Sequence, residues 1–192
     1  MNALILVVIL ALVEGITEFL PVSSTGHMIL VNKLIGGEYL SPTFTNSFLI
    51  IIQLGAILSV VVYFWKDLTP FVGTKEKFVL RFRLWVKIIV GVIPAMVIGL
   101  FLDDIIDKYF MDNVTTIAIT LIVYGIIFIA IEVIYKIKNV KARVRSFSEL
   151  KYGTAFLIGF FQCLAMIPGT SRSGATIIGA LLLGLSRPLA AE

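Results

Sequence analysis

The chain has 192 residues, of which 59% are hydrophobic, a net charge of +4 and a mean hydropathy of +1.03. Soluble domains are only about 45–50% apolar, so this composition excludes an ordinary soluble protein and indicates membrane-spanning helices. We attribute the excess of Lys and Arg to loops on the cytoplasmic side of a membrane, and we expect no nucleic-acid binding. A single cysteine, Cys163, cannot form a disulfide within the chain.

The first apolar segment, residues 1–30, is long enough to span a membrane but is interrupted by polar residues. Its second half reads EGITEFLPVSSTGHMIL. Pro21 should end one half-helix, and Ser23 or Ser24 should cap the next. The segment has no basic start and no small-residue cleavage site, so we do not interpret it as a signal peptide.

Three uninterrupted spans follow, over residues 44–65, 84–102 and 114–135, each near the ~20 residues that a crossing requires. The segments before the second span and after the third, residues 66–87 and 136–151, are basic and should face the cytoplasm. The segment between these spans is acidic and should lie outside, with Asp103, Asp104, Asp107 and Asp112.

The last segment, residues 152–185, is again apolar and again interrupted, by PGTSRSG. Its stretch QCLAMIPGTSRSGATII aligns with EGITEFLPVSSTGHMIL through Pro, Ser and Gly. Three spans separate the two segments, so they should enter the membrane from opposite faces. The sequence therefore predicts an all-α polytopic protein, with residues 1–192 forming one membrane domain. It contains an inverted-topology repeat and two re-entrant helix-loop-helix hairpins, residues 1–30 and 152–185.

Two acidic residues lie inside the first apolar segment. Glu14 and Glu18 are one helical turn apart on the same face, where their carboxylates repel unless they share a proton or a cation. A general base and a divalent-metal site would both use this arrangement. The other interpretation is that one or both acids are protonated or reach the membrane interface.

The interruptions of both segments are suited to an anion. Free N–H groups at a helix start bind anions, and the planar guanidinium of Arg172 matches phosphate oxygens. His27 follows Ser24 closely, and a serine beside a histidine is a common nucleophile and base. These features predict a site for a phosphorylated or otherwise anionic substrate, with binding residues at Ser23, Thr25, Gly169, Ser171, Ser173 and Thr176.

The two motifs EGITEFLPVSSTGHMIL and FQCLAMIPGTSRSGAT, together with IIQLGAILSVVVYFW, closely resemble the bacterial undecaprenyl-diphosphate phosphatases of the bacitracin-resistance family. The resemblance implies hydrolysis of undecaprenyl diphosphate to the monophosphate and phosphate. It places the protein in the bacterial cytoplasmic membrane, with the site opening to the outer face. Members of that family continue past SRPLAAE with further helices, so we expect the later helices to be missing here.

Carried over by position, the family motifs fall on Glu14, Glu18, Ser24, His27 and Arg172. We expect Ser24 to act as nucleophile with His27 as its base, although His27 as nucleophile or as base for water is open. Glu14 and Glu18 would hold a divalent cation, Mg²⁺ or Ca²⁺, or tune His27. The expected partners are a polyprenyl diphosphate and membrane lipid, and self-association into a homo-oligomer is open. The alternative function is a carrier or flippase for an anionic lipid or metabolite.

Overall fold

A computed structural model of the chain describes residues 2–36, 41–71, 73–110, 114–138 and 140–191. Most of these residues are α-helical, as predicted, and among the described residues the one β-type contact is a bridge between Val144 and Leu185. A π-helical turn follows the second helix and a 3-10 turn follows the seventh. In chain order the helices are α1 (Ala3–Thr17), α2 (Ser24–Val31), α3 (Pro42–Tyr63), α4 (Trp65–Leu68), α5 (Lys75–Phe110), α6 (Val114–Ile137), α7 (Tyr152–Cys163), α8 (Arg172–Leu182) and α9 (Arg187–Ala191).

Two of the described helices are long and apolar enough to cross a membrane, over Lys75–Leu102 of α5 and Val114–Ile137 of α6. Only 11% and 6% of the residues in their most apolar stretches are buried within the molecule. A core helix of a soluble protein would be mostly buried, so the outward apolar side chains indicate contact with lipid. The first predicted span, residues 44–65, falls on α3, whose apolar part, Ser47–Tyr63, is shorter than these two.

Helix α5 is considerably longer than the predicted span of residues 84–102. It begins at Lys75 and continues to Phe110 without ending at Pro94. Lys, Arg and Glu are good helix formers, so the charged segment before the span extends the helix instead of forming a loop. In the acidic segment, Asp112 and the side chains of Asp103, Asp104 and Asp107 lie outside the described residues.

Helices α1 and α2 form the first hairpin, whose turn is residues 18–23. Asn2 caps α1 by accepting a hydrogen bond from the Leu4 N–H group, at 2.9 Å. The two helices bury a shared apolar cluster that also includes the first half of α3. This cluster fixes the hairpin against α3 and consists of Leu6, Leu10 and Met28 with Val13, Val31, Phe48, Leu49 and Ile52 around them.

Helices α7 and α8 form the second hairpin, whose turn is residues 167–171. At the end opposite this turn, the residues before α7 pack against the end of α8 and against α9. They form one buried apolar cluster of Leu150, Ala180, Leu185 and Leu189. Helix α7 packs closely along α5. A Cβ atom on Gly91 would lie 3.2 Å from the Ala155 carbonyl oxygen, and one on Gly159 would overlap the Gly91 carbonyl. The absence of side chains at these glycines allows the two backbones to approach.

The turns of the two hairpins meet beside α6. A Cβ atom on Gly26 would lie 3.3 Å from the Gly169 Cα atom, and one on Gly174 would lie 3.2 Å from the Pro21 carbonyl oxygen. Gly169 has a φ of +90°, and a Cβ atom there would be 2.8 Å from the carbonyl oxygen of Ile117 on α6. The fold therefore brings together the two motifs that the sequence separates by more than a hundred residues.

Candidate active site

A cavity of about 330 Å³ lies where the two hairpin turns meet. It receives residues from the first hairpin, from α3 and from the second hairpin. Its walls carry hydroxyl, carboxylate, amide and guanidinium groups beside a few apolar side chains. The lining residues are Thr17, Glu18, Leu20, Ser23, Ser24, Thr25, Gln53, Gln162, Ala165, Met166, Pro168, Gly169, Thr170, Ser171, Arg172, Ser173 and Thr176.

The first hairpin contributes a hydroxyl and a carboxylate in direct contact. The Ser24 hydroxyl donates a hydrogen bond to Oε2 of Glu18, the residue that ends α1. Ser23 caps α2, and its Oγ accepts from the Gly26 N–H group at 3.3 Å. Ser23 is the one described non-glycine residue with a positive φ, +65°, a conformation that costs roughly 1–3 kcal/mol. This strained backbone positions the neighbouring Ser24 on the cavity wall.

Glu14 lies outside the cavity lining, although it is one turn from Glu18 as predicted. It is only 1% exposed, and neither of its carboxylate oxygens has a hydrogen-bond partner among the described residues. Its backbone carbonyl accepts a hydrogen bond from the Glu18 N–H group, at 2.9 Å. Glu14 can therefore influence the site through Glu18, but it does not face the cavity directly.

His27 is half-buried on α2 and is not among the residues that line the cavity. Its Nδ1 atom lies 2.8 Å from the Ser23 carbonyl oxygen. A carbonyl oxygen only accepts hydrogen bonds, so Nδ1 carries a proton and Nε2 is left for another partner. The structure places no hydrogen bond between His27 and Ser24, whose hydroxyl contacts Glu18 instead.

The second hairpin contributes Arg172 and a capped helix start. Ser171 caps α8 through a hydrogen bond from the Gly174 N–H group at 3.0 Å, and its Oγ lies 3.1 Å from that of Ser173. Arg172 is exposed at the cavity and forms no ion pair with any described carboxylate. The Thr176 hydroxyl bonds to backbone carbonyls one turn back, at 3.0 and 3.1 Å, so its proton is already engaged.

Both α2 and α8 begin at this cavity. The N–H groups of a helix start and the positive end of the helix dipole favour an anion at that position. The α8 start and the Arg172 guanidinium make the wall of the second hairpin electropositive, and the α2 start adds N–H groups beside Ser24. The Glu18 and Ser24 pair forms the opposite wall, so an anionic group bound between the walls would meet a hydroxyl held by a carboxylate.

Several cavity residues were not among the predicted site residues. Gln53 on α3 donates from Nε2 to the Thr25 hydroxyl oxygen at 2.9 Å, across 28 positions of sequence. The signal for Gln53 was its polar amide inside an otherwise apolar span. Thr170 lies within the second motif and is 6% exposed, and its hydroxyl has no hydrogen-bond partner among the described residues. Thr17 and Gln162 also line the cavity.

A divalent cation would find few protein ligands here. Among the described residues no group of three or more His, Cys, Asp and Glu side chains comes together. Glu18 in the cavity and Glu14 behind it are the available carboxylates. Magnesium is commonly held by only one or two carboxylates, with substrate phosphates and water completing its shell, and this donor set fits that pattern.

These features define a helical membrane protein with a polar cavity between the turns of two hairpins. The family model described as bacitracin resistance protein BacA matches residues 7–192. The chain belongs to this family.

Curated relatives are similar over nearly the whole chain. The undecaprenyl-diphosphatase of Fusobacterium nucleatum subsp. nucleatum is 83% identical over 97% of this chain and 70% of its own length. Undecaprenyl-diphosphatase 1 of Clostridioides difficile is 53% identical over 96% of this chain and 66% of its own length. The undecaprenyl-diphosphatase of Acetivibrio thermocellus is 49% identical over 100% of this chain and 70% of its own length. The chain thus spans only part of the length of these relatives.

Proposed function

We propose that this chain hydrolyses undecaprenyl diphosphate to undecaprenyl phosphate and inorganic phosphate, which recycles the lipid carrier of cell-wall synthesis. The observation that carries the proposal is the cavity between the hairpin turns. There the Ser24 hydroxyl bonds to Glu18, and Arg172, which has no acidic partner among the described residues, lines the same cavity. The names of relatives at 83% and 53% identity support the same reaction.

In the proposed reaction, Arg172 and the first N–H groups of α2 and α8 hold the two phosphates. Ser24 attacks the terminal phosphorus, and Glu18 takes the serine proton. The bond between that phosphorus and the bridging oxygen breaks, and the bridging oxygen leaves with undecaprenyl phosphate. Water then hydrolyses the phosphoserine, releasing inorganic phosphate and restoring the hydroxyl.

The base in this scheme differs from the sequence-based expectation. Ser24 contacts Glu18 in the structure, whereas His27 is bound to the Ser23 carbonyl and does not line the cavity. A general base must lie within hydrogen-bond reach of the proton that it removes, which favours Glu18. A chemical role for His27, as base or as nucleophile, stays a prediction for the substrate-bound state.

A divalent cation is part of the proposal. Glu18, with Glu14 behind it, would hold Mg²⁺ or Ca²⁺ together with phosphate oxygens of the substrate. When bound, the cation would neutralise the charge that develops on the phosphates during transfer. The Thr25, Ser171 and Ser173 hydroxyls would direct the phosphates from the cavity wall.

We also propose that both hairpins are re-entrant and that the site opens to the outer face of the cytoplasmic membrane. Support comes from α6, where Gly169 of the second turn lies against Ile117 and Gly26, in the first turn of α2, lies against Leu121. Ile117 and Leu121 are roughly 5–10 Å along the helix from its Val114 end, away from the end followed by basic residues. The substrate tail would stay in membrane lipid, and self-association into a homo-oligomer stays a prediction. No feature of the site favours the carrier alternative, since transport does not require the Ser24–Glu18 contact.

The decisive experiment measures phosphate release from undecaprenyl diphosphate by the purified full chain in detergent, with divalent cation present. Ser24→Ala and Arg172→Ala should each lower turnover by about 10³-fold or more. Ser59→Ala is the matched control, because the Ser59 hydroxyl bonds only to the Ala56 carbonyl and lies outside the cavity. Near-normal turnover by well-folded Ser24→Ala would refute the nucleophile, and no release by the folded unsubstituted chain would refute the function.

A further inference from the structure

A second cavity, of about 940 Å³, lies where the two basic segments meet and shares no lining residue with the first cavity. The first turns of α5 form one wall, and the segment that leads into α7 forms the other. The two basic segments identified in the sequence therefore meet at one end of the fold, as the positive-inside pattern requires. The lining residues are Leu80, Arg81, Arg83, Leu84, Lys87, Phe147, Ser148, Glu149, Leu150, Lys151 and Tyr152.

Lys87 is the unusual residue of this cavity, because its ammonium group is buried without a negative partner. The residue is only 7% exposed. Its Nζ donates to the Phe147 carbonyl oxygen at 2.6 Å and lies 5.8 Å from the centre of the Tyr152 ring. No described carboxylate lies within 4.0 Å of it. Arg83, one turn earlier on α5, is a second cation in the lining of this cavity.

A buried ammonium is costly unless an opposite charge compensates it, and a second cation close by increases the cost. An ammonium has three donors, and the Phe147 carbonyl occupies one of them. Among the described residues that line the cavity the one acid is Glu149, which is exposed and accepts a hydrogen bond from the Arg145 N–H group at 2.8 Å. Among the described residues, no carboxylate therefore compensates the Lys87 ammonium within 4.0 Å.

We propose that the cavity binds the phosphate of an anionic membrane lipid on the cytoplasmic side. Lys87, Arg83 and Lys151 would surround the phosphate. Apolar residues beside them, Leu80, Leu84 and Leu150, would contact the glycerol and the first part of the acyl chains. Basic pockets between helices on this side of a membrane are suited to such head groups. Inorganic phosphate could supply the same charge, but it would leave the apolar wall without a partner.

The test is binding of phosphatidylglycerol to the full chain in a neutral detergent, followed by thermal unfolding and by native mass spectrometry. Phosphatidylglycerol should raise the melting temperature, whereas phosphatidylcholine should not. Inorganic phosphate alone should give a smaller shift. Equal stabilisation by phosphatidylcholine would overturn an anion site, and an equal shift with inorganic phosphate would overturn the lipid as its occupant.

Substitutions of cavity residues test whether the lipid binds in this cavity. Lys87→Met keeps most of the side-chain volume and should lower the affinity for phosphatidylglycerol about fivefold or more. Without anionic lipid the same variant should melt above the unsubstituted protein, because a buried uncompensated charge has been removed. Arg83→Gln should also lower the affinity and does not depend on repacking a buried site.

Lys138→Gln is the matched control. Lys138 is an exposed residue of the same basic region and lies outside the cavity lining. The affinity of the Lys138→Gln variant for phosphatidylglycerol should be unchanged. An equal loss in Lys138→Gln, or full affinity in both Lys87→Met and Arg83→Gln, would show that the basic surface attracts lipid without a specific cavity.

Discussion

Replacing Gly169 with alanine should separate the two hairpin turns. Gly169 has a φ of +90°, and an added Cβ atom would lie 2.8 Å from the Ile117 carbonyl oxygen and 3.2 Å from the Thr120 Cβ atom. The backbone carbonyl of a membrane-spanning helix cannot rotate away as a flexible side chain could. The second turn must therefore move away from α6, and this displaces Arg172 from the wall that faces Ser24.

The expected loss of stability in Gly169→Ala has two parts. A non-glycine residue in this backbone conformation costs about 1–2 kcal/mol, and overpacking at a tight contact costs typically about 1–3 kcal/mol. The expected loss of stability is thus roughly 2–5 kcal/mol. For a chain of this length, that corresponds to a fall in melting temperature of roughly 4–20 °C.

The assay compares the melting temperature and phosphate release of Gly169→Ala with those of Gly125→Ala. Gly125 lies within α6, with nothing within 4 Å of an added Cβ atom, so its variant should be unchanged or slightly more stable. Gly169→Ala should melt lower and lose most of its turnover. If both variants melt and turn over like the unsubstituted protein, the contact between the second turn and α6 does not set the site geometry.

Three further predictions follow from the packing and the site. Gln53→Leu should lower turnover about tenfold and have little additional effect in a Thr25→Val background, because both remove one hydrogen bond; additive losses in a double-mutant kinetic cycle would contradict this. Gly159→Ala should lower the melting temperature because its Cβ atom would overlap α5, whereas Gly153→Ala, with open space around it, should not; equal melting would argue against this close helix pairing. Chelation of divalent cations should abolish phosphate release, and added Mg²⁺ should restore it; undiminished release after complete chelation would refute the proposed cation.

The helical class and the two hairpin turns were predictable because local chemistry determines them. Pro21 and Gly169 cannot continue a helix without distortion, and Ser23 and Ser171 cap the helices that follow. The ends of α5 were less predictable. Hydropathy marks where a helix leaves lipid, but charged helix-forming residues extended this helix to Lys75.

The site partners could not be predicted in the same way, because they depend on tertiary packing. The spacing of Ser24 and His27 suggested a pair, yet the fold turns Ser24 towards Glu18 and leaves His27 on its own helix backbone. The Gln53–Thr25 bond joins residues of two helices, and no local pattern encodes it. The Lys87 environment likewise depends on α5 meeting the segment before α7.

The contact between the two hairpin turns also bears on how the protein is made. Arg172 emerges from the ribosome roughly 150 residues after Ser24, which at ~5–20 residues per second is a delay of roughly 7–30 s. During that interval the first hairpin is in the membrane without its opposite wall, and Glu14 and Glu18 lack the electropositive groups of the second turn. The candidate active site is therefore among the last parts of the described fold to assemble. An arrest of synthesis before Arg172 should leave an inserted chain that is easily recognised and degraded.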